Sequence, residues 1–162
     1  MGDRTLWLWA EDTGAARLLY GAPLGDRVPG EDVPLTGFGS ALFAPSGRGL
    51  LLTTSLFEDT YGLGYLALDE PDTVARVETR GAVHEGAGEL EYIQHLRDDR
   101  YAVLYNIDGA SWLYEGVFEE AKLEFRLEQV ICGRGQLASG VLDSSYYDPD
   151  GDRYVLSFST AI

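Results

Sequence analysis

Short apolar runs alternate with polar turns along this chain, and within many runs apolar and polar side chains alternate one by one. That period of two predicts β-strands with one face buried. Strand-like runs cover residues 5–10 and 15–20, parted by Glu11-Asp-Thr-Gly, and residues 140–147 and 153–160, parted by Asp148-Pro-Asp-Gly. Both turns hold residues suited to tight hairpins.

One unit recurs. Ser40-Ala-Leu-Phe-Ala-Pro-Ser-Gly-Arg-Gly-Leu-Leu-Leu, Leu90-Glu-Tyr-Ile-Gln-His-Leu-Arg-Asp-Asp-Arg-Tyr-Ala-Val-Leu and Val141-Leu-Asp-Ser-Ser-Tyr-Tyr-Asp-Pro-Asp-Gly-Asp-Arg-Tyr-Val-Leu all read strand, turn, strand. Setting Leu50, Tyr101 and Tyr154 as equivalent places the units 51 and 53 residues apart, a spacing typical of propeller blades. After the first hairpin comes a strand pair at 62–68 and 73–79, and after the second a pair at 111–118 and 123–131. After the third the chain stops, while the N-terminal pair 5–20 has no hairpin before it. With strands of a blade lettered a to d outward from the channel, the order is cd-abcd-abcd-ab.

The expected fold is therefore all-β, a single partial β-propeller over 1–162: an outer half-blade at 5–20, blades at 38–80 and 88–132, and an inner half-blade at 139–160. A compact β-sandwich with a similar strand count is the competing arrangement. No segment keeps a helical period. Around 115–129 the alternation of Lys122-Leu-Glu-Phe-Arg-Leu-Glu favours a two-faced strand. Residues 22–39, with three of the six prolines, read as a long exposed connection, and 80–88 as a Gly-rich one.

Propellers close with four to eight blades, and an open arc would leave strand edges facing water. Two copies would close as a six-bladed homodimer, the c-d pair of each completing the a-b pair of the other across two reciprocal seams. The rival is a longer chain carrying the missing blades.

Composition adds little to the fold and more to the partners. Ten Tyr and three Trp beside one Met suit strands. With 27 acidic against 12 basic residues the net charge is −15, which disfavours phosphate backbones as partners and favours solubility and cationic ligands. No apolar run is long enough to span a bilayer and no signal region opens the chain, so a cytoplasmic location is expected, without membrane partners. The one cysteine, Cys132, cannot form an internal disulfide.

Glu89-Leu-Glu-Tyr-Ile, Tyr105-Asn-Ile-Asp-Gly-Ala-Ser-Trp-Leu-Tyr-Glu and Arg153-Tyr-Val-Leu-Ser-Phe-Ser-Thr-Ala resemble the N-terminal propeller of prolyl oligopeptidase and acylaminoacyl peptidase family serine peptidases. Ala44-Pro-Ser-Gly-Arg is a degraded form, and Asp148-Pro-Asp-Gly-Asp-Arg a closer copy, of the hairpin turn common in those propellers. The resemblance implies a gating domain that filters peptides ahead of an α/β-hydrolase domain carrying the catalytic triad. The chain has no Gly-x-Ser-x-Gly elbow, so no triad residue carries over and no peptidase activity of its own is expected. The alternative is a free-standing propeller-type binding module with a ligand in its channel.

Asp148-Pro-Asp-Gly-Asp invites a calcium reading, but the twelfth position is Ser159 rather than a closing Glu, and a hairpin turn is favoured. His84 and His95 lack a second ligand at metal spacing. Cys132 has no neighbouring base and reads as buried. No metal or other cofactor is expected. Strand a lines a propeller channel, so Glu89, Glu91, His95 and Tyr146 are the expected channel-lining residues, with Glu89 and Glu91 on one strand face and Leu90 and Tyr92 on the other. A peptide or small cationic ligand would suit them. Trp7, Trp9 and Trp112 are expected to pack between blades rather than to stack on a ligand.

Overall fold

The computed structural model describes residues 4–28, 30 and 36–160. The described residues are all-β, with thirteen strands, three single-turn 3₁₀ segments and no α-helix. No helix among them is long and apolar enough to cross a membrane.

The strands form four sheets in chain order. The first is the hairpin β1 (Leu6–Ala10) and β2 (Ala15–Tyr20). The second is an antiparallel meander of β3 (Phe38–Phe43), β4 (Gly49–Thr54), β5 (Gly62–Ala67) and β6 (Val74–Arg76). The third contains β8 (Gly88–Arg97), β9 (Arg100–Ile107), β10 (Ala110–Glu119) and β11 (Glu124–Cys132), again an antiparallel meander, with β7 (Glu78–Arg80) added beside β11. The fourth is the hairpin β12 (Gly140–Asp148) and β13 (Arg153–Thr160). Two, four, four and two strands, with β7 as a splint, agree in number with the strand groups read from the sequence.

The run 73–79 does not make one strand as expected. Its first part pairs with β5, and its second crosses to the next sheet and runs parallel to β11. Val77 is the pivot: its side chain is buried, its N–H still donates to Leu63 O at 3.1 Å, and the N–H of Glu78 already donates to Leu123 O at 2.9 Å. Parallel pairing here welds the outer edges of the second and third sheets. Gly81 follows at φ +88°, where a Cβ would lie 2.4 Å from Leu127 O, so the turn away from β7 requires glycine.

Each sheet packs on the next through its own apolar layer. Leu19 with flanking Leu6 and Leu8 meets Leu50, Leu52 and Leu66 between the first two sheets. Leu51, Leu63 and Val77 meet Leu90, Tyr101 and Phe118 between the second and third. Ala102, Leu104, Leu113 and Cys132 meet Leu142 between the third and fourth, with Leu156 and Phe158 alongside. The faces alternate with the pleat, so Leu50 and Leu52 look back along the chain of sheets and Leu51 looks forward.

The connection 22–39 is not exposed throughout. Thr36, Gly37 and Phe38 are buried, and Tyr20 meets Phe38 edge-on with centroids 5.6 Å apart. Pro29 and Pro34 of that segment lie outside the described residues.

Candidate functional site: two open sheet edges and the seams between sheets

Within the chain β1 bonds to β2 alone and β13 to β12 alone among the described strands. Each strand of these two-stranded sheets thus keeps one edge unpaired, those of β1 and β13 among them. Exposed edges of this kind are templates for further strand pairing. The faces beside them are equally open. Trp7 and Trp9 are 52% and 62% exposed, which corrects the expectation that they pack between sheets. Alternation explains it: Leu6 and Leu8 take the face covered by the second sheet, and the indoles take the other. Val141, Tyr146 and Val155 are likewise exposed on the fourth sheet.

The channel candidates are not gathered into one site. Glu89 and His95 stand six residues apart on β8, about 20 Å along an extended strand. Glu89 accepts the Tyr61 N–H at 3.1 Å, and Glu91 accepts from Asn106 Nδ2 at 3.2 Å. The predicted shared face of Leu90 and Tyr92 is overturned. The register shifts between Leu90 and Tyr92, so Glu91 occupies a β-bulge. Leu90 then enters the layer toward the second sheet and Tyr92 the layer toward the fourth. His95 sits at the other end of β8, its Nε2 2.9 Å from Asp98 O and its ring 5.0 Å from that of Tyr101. It borders a groove of about 350 Å³ with Leu42, Phe43 and Pro45. Tyr146 projects from β12 into the open.

Polar clamps lock the seams, and sequence reasoning missed them. Glu120, in the turn after β10, accepts from Ser46 Oγ at 2.6 Å, the Ser46 N–H at 3.0 Å and the Tyr65 phenol at 2.8 Å. Burial works against its charge, but these bonds prevail and hold its carboxyl below the usual value, while burial and the Glu120 bond push the Tyr65 phenol up to about 12. Glu115 of β10 is buried and contacts Arg100 at 2.6 Å and the Tyr154 phenol at 3.0 Å, joining the third and fourth sheets. At the turns, Asp152 accepts from Arg97 at 3.1 Å and from the Tyr147 phenol at 2.8 Å. A lone Glu in an apolar strand gave no signal beyond its unexpected polarity.

A third cluster surrounds His84. In the segment 81–89 it is the one residue that is half-buried rather than exposed. Its ring lies 5.1 Å from Tyr105, 5.7 Å from Trp112 and 5.6 Å from Tyr114. Trp112 itself stacks on Tyr114 at 6.0 Å, in keeping with a packing role. The Tyr114 phenol oxygen accepts the His84 N–H at 3.1 Å and lies 2.8 Å from His84 Nδ1. The phenol oxygen also accepts the Val83 N–H at 3.4 Å, an arrangement that suits donation of its own proton to Nδ1 of a neutral ring. Burial also lowers the imidazole's affinity for a second proton.

Asp148 caps its own hairpin, accepting from the Asp150 N–H at 3.2 Å and from Arg153 Nε at 2.7 Å. No group of three His, Cys, Asp or Glu side chains suited to a metal ion occurs among the described residues. Cys132 is fully enclosed, with Sγ 3.7 Å from Ser111 O, and burial pushes its thiol up. Comparison with family models, with curated proteins and with solved structures returned no match.

Proposed function

We propose that this chain is a self-assembling propeller-type scaffold in which the β1–β2 hairpin of one copy completes the β12–β13 hairpin of another. The supporting observation is that both terminal sheets are two-stranded and stop at unpaired edges, whereas both interior sheets contain a four-stranded meander. Joining β1 to a second copy's β13 would give the missing strand order β2-β1-β13-β12. Two reciprocal seams would close a six-bladed dimer. The role is binding rather than chemistry, and no catalytic residue is assigned. The excess of negative charge makes a cationic peptide or small cation the ligand class for its surface. Deleting residues 5–20 tests the scaffold: loss of the dimer with aggregation is expected, and unchanged solubility, mass and melting would refute it.

The second reading is the gating domain of an oligopeptidase-type serine hydrolase, with the missing blades and the catalytic domain in the same longer chain. It rests on the two turn motifs Ala44-Pro-Ser-Gly-Arg and Asp148-Pro-Asp-Gly-Asp-Arg, each of which joins the first two strands of its sheet. Further blade-like strands and a Gly-x-Ser-x-Gly hydrolase after residue 162 in the parent reading frame would favour it. Their absence there would favour the scaffold.

A further inference from the structure

Repetition within the chain lets burial at one unit be compared with burial at the next. Leu51, Ala102 and Val155 follow the equivalent residues Leu50, Tyr101 and Tyr154. Leu51 and Ala102 are 0% exposed, because the following sheet lies on that face. Val155 is 70% exposed, and no fifth sheet follows it among the described residues. The opposite face repeats the contrast. In the middle strands β5 and β10, the side chains that look back, Leu66, Tyr114 and Phe118, are enclosed. On β1 the corresponding face carries the exposed Trp7 and Trp9.

What encloses these positions inside the chain is always a neighbouring sheet of the same kind. We infer that the outer faces of the two terminal sheets are docking faces for a second copy of this chain: Val155 and Tyr146 lie over its β3 at Phe43, and Trp7 and Trp9 lie over its β10–β11. This inference rests on the strand-completion reading above and adds to it the faces and their contacts.

The contacts follow from register. Tyr146 pairs across its sheet with Val155 as Leu42 pairs with Leu51. Phe43 pairs with Leu50 as His95 pairs with Tyr101. Leu42 and His95 already share a groove between the second and third sheets. The same step taken across the dimer sets Tyr146 of one copy against Phe43 of the other, two aromatic rings now exposed. On the other face, Phe125 and Leu127 point into the core, so Arg126 and Glu128 point toward the fourth-sheet side of β11. Arg126 is held there by Glu119 at 2.6 Å and Glu128 at 3.1 Å. A guanidinium fixed in this way is a floor for an indole, by stacking and cation–π attraction.

The test uses the full chain. A Phe43→Cys, Tyr146→Cys double variant treated with glutathione disulfide is expected to give a covalent two-chain species on a non-reducing gel, with neither single variant doing so. Val155→Glu and Trp9→Glu are each expected to yield single chains by sedimentation with far-ultraviolet circular dichroism unchanged. If the unmodified chain sediments as a dimer but both Glu variants remain dimeric and no cross-link forms, the face assignment is overturned and strand completion stands. If the unmodified chain sediments as one chain, both fall.

Discussion

Glu115 Oε2 accepts a hydrogen bond from the Tyr154 phenol at 3.0 Å, while Oε1 binds Arg100 at 2.6 Å. One buried carboxylate thus ties β10 to β9 and to the terminal hairpin. The bond from Glu115 raises the affinity of Arg100 for its proton, and burial followed by the negative charge of Glu115 raises that of the Tyr154 phenol.

Removing that carboxylate strands the Tyr154 phenol and leaves Arg100 with Glu128 alone, at 3.2 Å. Glu115→Ala is expected to cost about 3 kcal/mol, the usual loss when one member of a buried ion pair is deleted. Tyr154→Phe should cost about 1 kcal/mol, and the two losses should not add, because they share one interaction. Urea unfolding of the single and double variants at fixed protein concentration measures this. Additive losses would mean that the phenol and carboxylate act independently.

His84 predicts a pH dependence of known sign. Burial disfavours the imidazolium in the folded chain, so the folded pKa lies below the unfolded value of about 6.5. Above that value neither state carries the proton and stability is full. As pH falls below it, the unfolded state takes up the proton and the folded state resists, so stability declines. The groups facing the ring are Tyr105 on β9 and Trp112 and Tyr114 on β10, with Arg134 acting on the Tyr114 phenol. Melting temperature should fall between neutral and mildly acidic pH, and His84→Gln should flatten that slope. Equal slopes would contradict the neutral latch.

Cys132 should be inert in the folded protein. Its thiol is enclosed and its pKa is raised by burial, so the thiolate is both scarce and inaccessible. Labelling by a maleimide is expected only at the rate of opening between the third and fourth sheets, and denaturant should accelerate it. Labelling as fast as a free thiol would show that this seam is open.

Gly81→Ala should loosen the splint between the second and third sheets. The substitution meets both a positive φ and a backbone oxygen 2.4 Å from the new Cβ. A loss of roughly 1–3 kcal/mol is expected. Faster amide exchange at Thr79 and Arg80 would localise it, since β7 is held to β11 by short parallel pairing. A stability equal to the unmodified chain would mean that the turn relaxes freely.

The strand inventory was legible in the sequence because period-two alternation and turn residues act locally. The hairpins at 5–20, 38–54 and 140–160 all form where their turns predict. Features that depend on partners were not legible. Val74–Arg76 and Glu78–Arg80 read as one strand because alternation is blind to which sheet accepts the N–H groups. The bulge at Glu91 inverted the faces of β8, since one extra residue leaves no mark in composition. Trp7 and Trp9 looked like core residues by type, yet the face of β1 that carries them is exposed. Glu115 looked like a polar interruption, and its burial became intelligible only beside Arg100 and Tyr154.

The molar mass of the full chain in solution tests the central claim most directly. Sedimentation equilibrium at micromolar concentration is expected to return twice 17.8 kDa, with sheet content intact. A stable, fully folded species of 17.8 kDa at that concentration would contradict it.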